Sequence, residues 1–119
     1  FSTNNAYASY YQILDKSYRM YAYTSTFTYY SGGLGVKVWC KNSSGDTQTM
    51  ELQRYIEPKY YSGVEKTVYC GKSSYTYNYF YYPNAVSGGR YSLYFWNNGY
   101  NGGTTVASLS DITVQINPN

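Results

Sequence analysis

From Tyr75 to Tyr81 the chain alternates without a break: every odd position is Tyr, and Thr76, Asn78 and Phe80 hold the even ones. Side chains that repeat every second residue share one face of a strand, whereas a helix needs a repeat near 3.6. The same period recurs along the chain. Leu34, Val36, Val38 and Cys40 share one parity, and Lys37, Trp39 and Lys41 the other. Met50, Leu52 and Ile56 fall on one face against Glu51, Gln53 and Tyr55, with Arg54 interrupting the apolar parity. Val64, Val68 and Cys70 align against Glu65, Thr67 and Tyr69. Tyr91, Leu93 and Phe95 oppose Ser92, Tyr94 and Trp96, and Ile112, Val114 and Ile116 oppose Thr113, Gln115 and Asn117. The segment Tyr18 to Tyr30 reads as one long strand, with Tyr21, Tyr23, Phe27 and Tyr29 on one parity and threonines on the other. Only Tyr7 to Lys16 has room for a helical turn or two, and its Tyr-Tyr pair suits a strand equally.

Clusters of Gly, Ser, Asn and Pro separate these runs at Ser31–Gly35, Asn42–Asp46, Pro58–Gly63, Gly71–Ser74, Pro83–Gly89 and Asn97–Gly103. About seven or eight strands at such spacing predict an all-β fold, a Greek-key-like antiparallel β-sandwich, in a single domain over 1–119. A weak internal echo accompanies it: Tyr29-Tyr30-Ser31-Gly32 leads to Val38-Trp39-Cys40, and Tyr60-Tyr61-Ser62-Gly63 to Val68-Tyr69-Cys70. It suggests two equivalent turn-plus-strand units joined at their cysteines.

Leu, Ile, Val and Phe together number 20 of 119 residues, few enough to raise the question of disorder. Disorder also needs high net charge, and the formal charge here is only +3. The apolar burden has moved onto 20 tyrosines, whose rings bury area while their hydroxyls still need partners. Six acids are interspersed with nine bases, so no basic arm or stripe points to nucleic acid.

The chain begins at Phe1 rather than Met, followed by Ser2-Thr3-Asn4-Asn5, as expected of a mature product after signal-peptide removal. Cys40 and Cys70 are its two cysteines. A disulfide between them stabilises by roughly 3–4 kcal/mol on the loop-entropy model, which matters to a lean core. Both observations lead to the expectation of a secreted, extracellular protein. Asn42-Ser43-Ser44 matches the N-glycosylation acceptor pattern, a short match that is frequent by chance.

Several chemistries are excluded by composition. Without His, no His-based triad or His–metal site can form, and two cysteines alone cannot complete a four-ligand zinc site. No glycine-rich phosphate loop precedes a helix, because Gly32-Gly33-Leu34-Gly35 runs into a strand pattern. No Asp-x-Asp spacing suggests a calcium loop. A glycosidase needs two carboxylates across a cleft, and nothing in the sequence brings any two of Asp15, Asp46, Glu51, Glu57, Glu65 and Asp111 together. The expectation is a protein that is not an enzyme and carries neither metal nor cofactor.

What remains is aromatic surface. Between Ser73 and Tyr100 both strand parities carry rings interleaved with Ser, Asn and Gly, so several rings must stay exposed. Exposed rings stack on the apolar faces of sugars while amides and hydroxyls bond sugar hydroxyls. Loops rich in Tyr, Ser, Gly and Asn also make protein-binding surfaces. The favoured reading is a recognition module for a carbohydrate or cell-envelope polymer, with a protein partner as the alternative. Its contact residues are Tyr77, Tyr79, Tyr81, Tyr94 and Trp96, with Tyr82, Asn98 and Tyr100 at the rim. A further alternative is a bacteriocin-like toxin that docks on a membrane surface with Tyr and Trp at headgroup level. The last is a structural surface protein that associates through poorly guarded strand edges.

Overall fold

The computed structural model describes residues 9–30, 32–100 and 107–118. The chain start, the first residues of the Tyr7–Lys16 segment, Ser31 and positions 101–103 of the last expected turn lie outside the described residues. The strands are β1 (Tyr11–Tyr18), β2 (Tyr21–Tyr23), β3 (Phe27–Thr28), β4 (Leu34–Asn42), β5 (Gln48–Ile56), β6 (Lys59–Tyr61), β7 (Glu65–Val68), β8 (Thr76–Tyr82), β9 (Arg90–Asn97) and β10 (Ser110–Asn117). No helix occurs among the described residues, and Tyr11 to Lys16 lies in a strand.

The strands form two antiparallel sheets, one ordered β1-β10-β4-β8 and the other β2-β9-β5-β6, with β3 also on β9 and β7 also on β5. The expected sandwich is therefore present. Two of its strands are interrupted. β2 and β3 both run along β9, but Tyr21 pairs with Trp96 and Phe27 with Tyr91, an alignment shifted by one residue. Thr24 fills the break: its N–H donates to the Leu93 carbonyl (2.9 Å), and its hydroxyl accepts the Leu93 N–H (3.0 Å). This splits the single strand expected over Tyr18 to Tyr30. β6 and β7 repeat the device along β5, with Gly63 at the shift; a Cβ there would collide with the Leu52 carbonyl oxygen. Such one-residue shifts are β-bulges, which bend a strand without ending its pairing. Counted as two interrupted strands, the ten segments become eight, distributed as in a double Greek-key jelly roll.

Alternation decides what faces inward. Val36, Val38, Cys40, Ile112, Val114 and Ile116 from the four-stranded sheet meet Met50, Leu52, Val68, Leu93 and Phe95 from the other, all buried. Tyr18, Tyr29, Tyr82 and Tyr91 complete this core, so tyrosine does replace missing aliphatic volume. Ile56 and Val64 are exposed instead, because β5 runs past the end of the sandwich at Ile56 and Val64 lies in the interrupted stretch. The two Tyr-Tyr-Ser-Gly copies are not equivalent: Tyr60 and Tyr61 are edge-strand residues of β6, whereas Tyr29 is buried beyond β3.

One end of the sandwich is tied twice. Cys40 on β4 is bonded to Cys70, beyond β7, with Cα atoms 4.6 Å apart. The adjoining backbone joins Asn42 N–H to the Gly71 carbonyl (2.8 Å) and Gly71 N–H to the Cys40 carbonyl (3.2 Å). Beside it, buried polar side chains connect the sheets. Asn42 Nδ2 donates to Ser110 Oγ (2.8 Å) and Ser108 Oγ (3.0 Å). Gln48 Nε2 donates to Asn97 Oδ1 (3.2 Å), and Tyr18 donates to Gln48 Oε1 (2.7 Å). Asn97 Nδ2 reaches the carbonyls of Arg19 (2.7 Å) and Ser108 (2.8 Å).

Asn42 is fully buried, and its Oδ1 accepts the N–H groups of Ser44 and Asp46. The acceptor pattern is thus a turn anchor in the folded chain, with no room for a glycan. Asn42→Ala strands several buried partners and should cost about 2–3 kcal/mol in urea unfolding. Ser44→Ala deletes the same three-residue pattern at an exposed position and should cost less than about 0.5 kcal/mol.

Candidate functional site

The outward parity of the four-stranded sheet carries the largest run of exposed rings. Tyr77, Tyr79 and Tyr81 project from β8, with Tyr75 just before it, each half-exposed. Side chains two residues apart on a strand sit roughly 6–7 Å apart, so this row spans about 20 Å. The row faces outward because Asn78 and Tyr82 occupy the inward parity. Asn78 also fixes the strand's outer edge. Its Oδ1 accepts the Tyr69 N–H and its Nδ2 donates to the Tyr69 carbonyl, both at 2.9 Å.

Register brings further residues to the row. On β4, Trp39 pairs with Tyr77 and Lys37 with Tyr79; on β10, Thr113 pairs with Trp39 and Gln115 with Lys37. The Trp39 and Tyr77 ring centres lie 5.2 Å apart. Lys37 Nζ sits 3.9 Å from the centre of the Tyr10 ring, and Lys41 Nζ 5.0 Å from that of Tyr75, bracing both rings by cation–π contact. Tyr10 donates to the Tyr79 hydroxyl at 3.5 Å and crosses Gly35, where any Cβ would strike its hydroxyl. Trp39, Tyr75, Thr113 and Gln115 line a shallow depression of about 260 Å³ on this face. Rings, a hydroxyl and a primary amide thus stand together on a surface braced by packing.

The other expected contact residues lie on the opposite side of the molecule. Tyr94 and Trp96 project from β9 on the outer face of the six-stranded sheet, where Tyr21 stacks on Tyr94 with centres 5.7 Å apart. Tyr100 packs edge-on against Trp96 at 5.6 Å. Asn98 is committed to the neighbouring strand: it accepts from Thr49 Oγ1 (3.2 Å) and donates to Thr47 Oγ1 (3.0 Å). Tyr82 belongs to neither face. It is only 7% exposed, because it follows Tyr81 directly and takes the inward parity. The eight expected residues therefore divide into an outer group on each sheet and one core residue. Trp39, Tyr75, Tyr10, Thr113 and Gln115 were not among them; the signals for these were the parity Tyr75 shares with Tyr77 and the opposite parity of Trp39 to the aliphatic run.

One pair of carboxylates does come together. The β5–β7 register sets Glu51 directly opposite Glu65, beside Tyr94, Trp96 and Thr49 around a depression of about 360 Å³. That register follows the one-residue shift at Gly63, which no carboxylate spacing announces. Glu51 accepts a hydrogen bond from Gln53 Nε2 (2.6 Å), and Glu65 is exposed. A glycosidase's general acid needs burial to stay protonated near neutrality, and this pair has no buried member. Among the described residues no cluster of three His, Cys, Asp or Glu side chains forms that could hold a metal ion. No family model matches the chain, and a search of curated proteins finds no match.

Several hydroxyls on both faces and in the core resist ionisation. Burial, then the Tyr79 hydrogen bond and the neighbouring tyrosines, push Tyr10 up to about 12. Burial raises Tyr18 and Tyr82, and burial followed by Tyr21 and Glu51 raises Tyr94. Above about pH 10 the unfolded chain releases these protons while the folded chain keeps them. Stability they support is complete below about pH 10 and is lost as pH rises through the raised folded-state values, about 12 for Tyr10. Phenolate absorbance of the folded protein should show a late-ionising set of tyrosines, with unfolding accompanying their release. A single ionisation step near pH 10 without unfolding contradicts this.

Proposed function

We propose that the protein is a secreted, non-catalytic recognition module that binds a carbohydrate or cell-envelope polymer across the outer face of its four-stranded sheet. The observation that carries the reading is the joining of Trp39 and Tyr77 with Thr113 and Gln115 on one surface, beside the tyrosine row of β8. Ring faces offer stacking area to the apolar side of a sugar, and the amide and hydroxyl offer hydrogen bonds to its rim. An extended row suits a polymer rather than a single small molecule. The Cys40–Cys70 disulfide supports an oxidising compartment. The jelly-roll arrangement by itself points to no ligand, because one fold hosts many functions.

The six-stranded sheet's outer face is the competing surface, and paired variants separate the two. In co-sedimentation with insoluble polysaccharides, cell walls and anionic liposomes at two salt concentrations, the protein should pellet with one polymer largely independently of salt. Trp39→Ala and Tyr77→Ala should each weaken that binding by more than about 1 kcal/mol with the fold retained, as stacking anchors do. Trp96→Ala should leave it unchanged. Loss of binding in Trp96→Ala with Trp39→Ala unaffected moves the site to the other sheet. Pelleting with liposomes alone, abolished by salt, replaces the proposal with the membrane-active reading.

A further inference from the structure

At the end of the sandwich away from Asn42 and Asn97, a cavity of about 420 Å³ lies between the sheets, half-open to solvent. Leu52 and Arg54 of β5, Lys66 of β7 and Tyr91 of β9 form one side, and Tyr82 of β8 with the following Pro83–Val86 turn forms the other.

Two features set this cavity apart from the rest of the interior. The first is unsatisfied donors. The Tyr82 hydroxyl and Arg54 Nε are both buried without a hydrogen-bond partner among the described residues. Buried polar atoms are nearly always partnered, and each orphan is a standing cost. At the other end, Asn42, Gln48 and Asn97 are all engaged through both their amide nitrogens and their oxygens. The second feature is charge. Arg54 continues the inward parity of Met50 and Leu52, and Lys66 continues that of Val68 and stands across from Met50. The Lys66 ammonium lies 5.7 Å from the centre of the Tyr82 ring. No Asp or Glu is among the lining residues. Both cations are half-buried, and no carboxylate on this wall neutralises them.

We propose that this cavity is a binding site for a small organic monocarboxylate with an apolar body. The carboxylate sits between Arg54 and Lys66 and accepts hydrogen bonds from Arg54 Nε and the Tyr82 hydroxyl. The body lies against Leu52, Ala85, Val86 and Tyr91. A planar carboxylate matches the guanidinium fork, and a monoanion costs less to desolvate than a phosphate dianion. At the ~30 Å³ that a water molecule occupies in the liquid, the cavity holds roughly a dozen non-hydrogen atoms. Its volume falls within the range of small-molecule sites. The site shares Tyr81 with the end of the tyrosine row but does not depend on the polymer binding proposed for that row.

Titration calorimetry of the full chain with decanoate and 4-phenylbutyrate, with decanol as the uncharged control, tests this. At least one acid should bind about tenfold more tightly than decanol. Lys66→Met and Arg54→Met should each weaken it by about tenfold. Tyr82→Phe is the sharper variant. Deleting an unpartnered hydroxyl should leave the melting temperature of the free protein unchanged or raised, while acid binding falls by about threefold or more. If Arg54→Met fails to fold, Lys66→Met and Tyr82→Phe still decide the matter. The proposal is overturned if neither acid binds below about millimolar. It is equally overturned if acid and alcohol bind alike, or if Tyr82→Phe lowers the melting temperature and so shows that the hydroxyl has a partner in the free protein.

Discussion

The hydrogen bonds from Asn42 and Asn97 across one end of the sandwich fix how its sheets meet. Asn42 lies on β4 and Asn97 on β9, so the network joins the centre of one sheet to the centre of the other. The Cys40–Cys70 bond pins the crossover between the sheets at this same end. Buried amides of this kind contribute only when all their partners are in place, and here they are. A chain with so few aliphatic residues cannot rely on apolar area alone. It closes one end with directional bonds and a covalent link, and the distant end is left to looser packing around Arg54, Lys66 and Tyr82.

Tyrosine then serves two purposes, separated by parity. Tyr18, Tyr29, Tyr82 and Tyr91 fill the interior beside the aliphatic residues. Partners for their hydroxyls come from Gln48 for Tyr18, and Tyr29 and Tyr91 accept the N–H groups of Gly33 and Val86. Tyr75, Tyr77, Tyr79 and Tyr81 take the outer position on the neighbouring parity. Because aliphatic volume is spent inside, the outer faces are left to rings, lysines and short polar side chains. The same scarcity that makes the core thin thus leaves rings exposed on the outer faces.

The strand pattern was legible in the sequence because a period of two is a local property. Inward runs such as Tyr91, Leu93, Phe95 and Ile112, Val114, Ile116 follow directly from alternation. The disulfide followed from having two cysteines on apolar parities. The interruptions at Thr24 and Gly63 were not visible, because a bulge changes register by one residue while leaving composition unchanged. For the same reason the sequence could not assemble the site. Trp39, Tyr77, Thr113 and Gln115 come from three strands whose order is set by long-range pairing. Grouping Tyr94 and Trp96 with Tyr77 and Tyr79 followed chain proximity, but β8 and β9 belong to different sheets. Arg54 did stand out in the sequence as a break in an apolar run, and its inward position gives that break a physical meaning.

The chain's two tryptophans report separately on the two outer faces, Trp39 on the four-stranded sheet and Trp96 on the six-stranded one. Their indole N–H signals in a nitrogen–proton correlation spectrum, followed during titration with a soluble fragment of the bound polymer, test the placement of the site most directly. The Trp39 signal should move with saturation while that of Trp96 stays in place. Movement of Trp96 alone would contradict it.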